Sequence, residues 1–354
     1  MIFDKLQEHT VKIYGLRDKT YEVQDVPART LLVGQRFDLF AKLFYIKNRD
    51  ANRELALEVY NSHIKAFNPD LKEPGRDDKN GYEDFVNTFD TLIDDFETNE
   101  FNPELSLIPV DENGVLLDGA HRVSALAYLN KTVRIVRFKR VQSKCRFDYE
   151  YFLKRGLSWK IADMIAYEMI QWCPNMLIAC LWPRIGGAEV KKKTLDMIHH
   201  RYPLCYTKTI TTNLESFVHF IAKVYEHQNW VGTAANGFAG ARDKALNCFA
   251  SNRQISFALF EADNLDEVVA FKEDIRQHFK KDKHSIHITD NVAETKDIAK
   301  VVFQADQLAS WNKMSFNCLQ QMRDILNEKI YFFRHVTLIN LKVALAAVIN
   351  KMRK

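Results

Sequence analysis

Within five residues, Asp118-Gly119-Ala120-His121-Arg122 gathers a carboxylate, a glycine, an imidazole and a guanidinium between an apolar run and a helical pattern. A helix that begins there aims its first N–H groups and the positive end of its dipole at the point where a strand stops, a setting that attracts anions. The amides of Gly119 and Ala120 suit close approach by a phosphate. His121 and Arg122 supply donors to its oxygens, and Asp118 orients a donor or holds a metal. The same residues also admit a structural role, with Asp118 as the helix N-cap and Arg122 as a surface ion-pair partner.

Chemistry on a group bound at such a turn needs charge neutralisation and a base. Asp118 and His121 are the candidate catalytic groups. Asp38 and Glu73 are further candidate bases, and Arg36, Lys42, His63 and Lys65 are candidate ligands for phosphate or acceptor. No spacing separates these from solvated surface residues.

A second segment, Trp230-Val-Gly-Thr-Ala-Ala-Asn-Gly-Phe-Ala-Gly-Ala-Arg-Asp-Lys244, places three glycines before Arg242 and Lys244 at an expected helix start. Its amides and cations suit a phosphate or a sugar, although it lacks the Gly-Lys-Ser/Thr of a P-loop and can equally be an ordinary connection. Further on, His287 and Asp290 lie at the end of a short strand and are weak candidates for a metal, since a metal site asks for at least three convergent ligands. Thr289 or Asp290 as a plain helix cap is the alternative.

Composition narrows the classes. Hydrophobic residues make up 47% and charged residues 27%, which is globular. The formal net charge is only +4, so a nucleic-acid partner is not expected. Six cysteines show no Cys-x-x-Cys pair, which speaks for reduced thiols. The N-terminus shows no signal-peptide pattern, so a cytoplasmic location is expected. Residues 330–354 form an apolar stretch with a basic tail, interrupted by Asn340, Lys342 and Asn350. It suits docking on protein, or peripheral contact with the inner face of a membrane.

The elements that must position these groups follow from periodicity. Residues 1–50 read as strands or an extended arm. Residues 51–67 and 82–98 read as amphipathic helices, with a surface loop over 68–81. Two short strands, 105–110 and 115–117, are joined by an Asn-Gly turn. A helix follows from residue 120, and a strand over 133–138 closes the unit. Residues 146–205 read as a helical connector that includes a helix over 176–182. From 206 to 325, helices over 214–226, 241–249, 265–279 and 293–303 alternate with strands over 255–260 and 285–288. Residues 326–354 form a terminal helix. The expected fold class is α/β (α+β), with domains over 1–145, 146–205, 206–325 and 326–354.

The run Ile108-Pro-Val, Val115-Leu-Leu-Asp-Gly-Ala-His-Arg and Ala125-Leu-Ala resembles the core of the ParB-like/sulfiredoxin-like superfamily. That likeness implies a nucleotide-binding domain over residues 1–145, with Asp118, Gly119, His121 and Arg122 over a nucleotide phosphate. Ala120 stands where sulfiredoxin has its reactive cysteine, and no helix-turn-helix region follows. The branch implied is therefore the free serine kinases. The resemblance implies ATP or another nucleotide with Mg²⁺, and transfer to a small hydroxyl compound or sugar. The alternatives are a ParB-like nucleotide switch, possibly on DNA, and a sugar or nucleotidyl transferase with a catalytic C-terminal domain. Residues 206–325 resemble an uncharacterised region of bacterial surface-polysaccharide (capsule) biosynthesis proteins, which implies a glycan pathway as context.

Overall fold

A computed structural model describes residues 2–72, 79–144, 147–280, 282–313 and 326. The chain mixes helix and sheet and divides into two compact units, Met1–Pro174 and Asn175–Lys354.

In the first unit, α1 (Glu8–Tyr14) precedes β1 (Tyr21–Pro27), and α2 (Phe37–Asn48) and α3 (Arg53–Phe67) follow. Residues 37–48 are therefore a helix and not the extended arm expected. The reason lies in burial: Phe37, Leu39, Phe40, Ala41, Leu43, Tyr45 and Ile46 are all interior, so α2 shows no polar stripe to betray its period. α3 and α4 (Tyr82–Thr98) each bury one face, as their spacing predicts.

β2 (Ile108–Val110) leads through α5 (Ala120–Tyr128) to β3 (Thr132–Phe138). β2 and β3 run parallel and β1 pairs antiparallel with β3, which gives the sheet order β1-β3-β2. The expected hairpin closes through Asp111 N–H to Val115 O and Leu117 N–H to Pro109 O. Its second arm is one antiparallel bridge, Val110 to Leu116, and not a strand. The returning arm carries the chain back along β2, so the start of α5 lies beside Ile108, the first residue of that strand. α6 (Tyr149–Lys154) and α7 (Trp159–Trp172) complete the unit.

The second unit begins with β4 (Met176–Leu181), a strand where a helix was expected. All six of its residues are buried, because β4 is an inner strand covered on both faces. A short run apolar on every side does not reveal its period. α8 (Ala188–Arg201), β5 (Leu204–Thr211), α9 (Leu214–Val224), α10 (Ala239–Cys248), β6 (Gln254–Glu261), α11 (Leu265–Phe279), β7 (Ile286–Ile288), α12 (Val292–Phe303) and α13 (Ala305–Trp311) follow. The sheet is antiparallel, in the order β5-β6-β4-β7. One face packs Leu177, Ala179 and Leu181 on α8 and α11 through Ile198, Val268 and Ile275. No described helix is long and apolar enough to cross a membrane, and residues 330–354 lie outside the described residues.

Candidate functional site

The start of α5 is built as its sequence suggests. Gly119 precedes the helix at φ +90°, a left-handed value that favours glycine, and a Cβ there would stand 2.5 Å from Ile108 Cδ1. Because the N-cap is Gly119, no side chain caps the first turn. The structural alternative for Asp118 is thereby decided: its carboxylate does not cap α5 but pairs with Arg122, Nη2 to Oδ2 at 3.2 Å. The first-turn N–H groups of Ala120, His121 and Arg122 keep their dipole unopposed by a capping oxygen.

Around this start the fold assembles polar groups from three other segments. Arg36, 4% exposed, forms a two-pronged bond with Asp38 at 2.8 and 2.9 Å and donates to Leu116 O at 2.6 Å. It thus ties the entry of α2 to the turn before Asp118. Lys42, one turn along α2, donates to Asp38 O at 3.2 Å and Oδ2 at 3.4 Å. On α3, the Tyr60 hydroxyl lies 2.9 Å from His121 Nε2. His63 follows one turn later and is 1% exposed. Lys79, also buried, lies over the Phe85 ring and acts electrostatically on His121.

The charges reinforce one another. Burial alone would raise the Asp38 carboxyl, but Arg36 and Lys42 outweigh it and hold the group below the usual carboxylate range. Asp38 is therefore a fixed anion and a poor proton acceptor. Burial, then Lys42 and Lys79, hold His121 well below an ordinary imidazole. Burial and Lys42 do the same to His63. Both rings are neutral near pH 7. Four cations (Arg36, Lys42, Lys79, Arg122) and two carboxylates (Asp38, Asp118) thus lie around the start of α5.

Of the residues singled out from the sequence, Asp118, Gly119, Ala120, His121, Arg122, Arg36, Asp38, Lys42 and His63 thus come together. Lys65 does not. It is exposed and donates to Pro69 O at 2.6 Å. Glu73 lies outside the described residues. Tyr60 and Lys79 were missed, the first because it looks like any core aromatic at helical spacing, the second because it stands in a segment rich in Pro, Gly and charge. Two clefts lie elsewhere: one of about 450 Å³ in the first unit, bounded by Glu54, Asn61 and Arg155, and one of about 480 Å³ in the second, bounded by Glu215, His219 and Trp311. The α5 start is a packed cluster whose half-buried members, Asp118 and Arg122, form its mouth.

The Gly-rich segment of the second unit is built differently. Asn236 Oδ1 accepts from Thr233 N–H at 2.9 Å and Ala239 N–H at 3.4 Å, and Phe238 N–H bonds Thr233 O. A Cβ on Gly240 would fall 1.7 Å from Trp230 O, so this glycine serves close backbone packing. Arg242 holds Glu215 with two bonds, at 2.9 and 2.7 Å, and Lys244 reaches Lys283 O at 3.5 Å.

His287 Nε2 lies 2.9 Å from Glu294 Oε1, and Asp290 pairs with Lys272 at 2.9 Å. Among the described residues no group of three or more His, Cys, Asp or Glu side chains could hold a metal ion. Neither Thr289 nor Asp290 caps α12; Asn291 does, accepting from Glu294 N–H at 2.9 Å. Cys173, Cys180, Cys205 and Cys248 are buried thiols outside any disulfide. Compared with protein-family models, with curated proteins and with solved structures, the chain matches none.

Proposed function

We propose that the first unit binds the phosphate end of a nucleotide at the start of α5 and transfers a phosphoryl group to a small hydroxyl compound. One observation carries this reading: three buried cations, Arg36, Lys42 and Lys79, and the half-buried Arg122 gather around a helix start that no side chain caps. Gathering cations in the interior costs free energy, and a phosphate group beside them offsets part of that cost. The first-turn amides and Arg122 bind its oxygens, with Lys42 and Lys79 behind them.

In the transfer, the acceptor oxygen bonds to the terminal phosphorus. The bond to the bridging oxygen breaks, and its electron pair leaves with the nucleoside diphosphate. The acceptor proton goes to Asp118, since Asp38 is committed to Arg36 and Lys42. Mg²⁺ would be held by the phosphate oxygens and water, which leaves the Asp118 carboxylate at the mouth for the proton.

ATP, ADP or CTP with Mg²⁺ is expected to raise the melting temperature of the wild-type protein and not that of Arg122→Ala. Equal stabilisation of both would reject the site. Turnover of ATP in the presence of free hydroxyl compounds, lost in Asp118→Asn while ADP still binds, separates transfer from binding alone.

A further inference from the structure

His63 is the one member of the cluster whose chemistry the fold leaves unanswered. The ring is 1% exposed, and neither Nδ1 nor Nε2 has a hydrogen-bond partner among the described residues. A buried polar group without a partner destabilises the fold, and native structures seldom keep one without a reason. Packing does not supply the reason. Phe152, Phe67 and Tyr60 surround the ring with centroids 5.1, 6.1 and 6.3 Å away, an aromatic niche that a phenyl ring would fill without orphaned atoms.

Its position does supply one. Tyr60, His63 and Phe67 succeed each other along one face of α3. Tyr60 reaches His121 at the start of α5, and Lys42 lies over the Phe67 ring at 6.0 Å. His63 therefore stands between the α5 start and the Lys42 ammonium. The charged and titratable groups that act on it are Asp38 and Lys42 from α2 and His121 from α5. With Lys42 beside it, a proton on the empty site's imidazole is opposed; a dianion placed among these groups reverses that opposition.

We infer that His63 is a direct ligand of the bound phosphate, neutral in the empty protein and protonated in the complex. The group the site selects is then a terminal, dianionic phosphate and not a singly charged diester. This rests on the phosphate-site reading above and adds the ligand's charge state and a binding residue on α3. Such a phosphate comes from a nucleoside diphosphate or from free orthophosphate, so the experiment has an arm for each.

The test is titration calorimetry at pH 8 without Mg²⁺, using ADP and, separately, inorganic phosphate, in two buffers of different ionisation enthalpy. Wild type is expected to take up as much as about one proton per ligand bound. His63→Phe is expected to melt higher than wild type when unliganded, because two orphaned nitrogens are gone, and to lose about tenfold or more in affinity. A merely structural histidine predicts the reverse, a lower melting temperature with affinity unchanged. His63→Gln, which keeps one N–H donor, is expected to recover part of the affinity without the proton uptake.

Wild-type affinity in His63→Phe overturns the inference and leaves the nucleotide reading standing. If His63→Phe does not fold, wild-type proton uptake in His63→Gln overturns it. Binding of inorganic phosphate without ADP rejects the nucleotide reading while His63 is still judged on phosphate. Binding of neither overturns both.

Discussion

Two turns of this protein look alike as sequence and differ as structure. Gly119 before α5 and Gly237 to Gly240 around the start of α10 both precede a helix and both are followed by cations. At the first turn the residue before the helix carries no capping oxygen, and Arg36, Lys42, Lys79 and Arg122 converge on it. At the second, Asn236 and Thr233 bond the loop's own amides, and Glu215 takes Arg242 in a two-pronged pair. Glycine serves sterics in both: a Cβ would strike Ile108 at one and the Trp230 carbonyl at the other. Glycine before a cation is thus no measure of anion affinity. What differs between the two turns is whether a side-chain oxygen of the loop takes up its amides.

The comparison breaks most sharply at Asp38. Asp38→Asn removes the carboxylate that Arg36 and Lys42 share in the interior, so a loss of about 3–5 kcal/mol is expected in denaturant unfolding. The sign with pH follows. The folded carboxyl sits below its unfolded value, so its contribution is present above about pH 3.9 and fades as pH falls through the acid range. Wild type and variant are expected to converge in stability on acidification, and a constant gap down to pH 2 would show that Asp38 does not balance these cations.

Gly240→Ala is expected to come next. In an ordinary helix the change stabilises by about 0.5–1 kcal/mol, but here the new methyl meets the Trp230 carbonyl. A loss of about 3 kcal/mol or more is expected in the unfolding of the second unit. Stabilisation instead would show that this turn is not a close-packed one.

The smallest effect belongs to Arg242→Ala. Its pair with Glu215 is nearly half exposed, so solvent screening limits the expected loss to under about 1 kcal/mol. ADP binding should stay unchanged by calorimetry. A loss of affinity comparable to that of Arg122→Ala would erase the distinction between the two turns and move the ligand to the second unit.

Much of this layout was legible beforehand, for physical reasons that differ by element. α3, α4, α9 and α11 each bury one face, and a half-buried helix writes its 3.6-residue period into the chain. α2 and β4 are buried all round. Their apolar runs carry no period, so α2 passed for an extended arm and β4 for a helix. Phe37-Asp38-Leu39-Phe40 does not announce that its aspartate is held by Arg36 and Lys42 in the interior.

By itself, then, the order of residues determined the local events: an Asn-Gly turn, a glycine-led helix start at Asp118 to Arg122, and one-faced helices around it. Only the tertiary structure decided that Arg36, Lys42, His63 and Lys79, from distant parts of the chain, would meet at that start, and that Arg242 would be paired. The reason is that hydrogen bonding and periodicity act over a few residues. The balance of buried charge is a property of whatever the folded chain brings within a few ångströms.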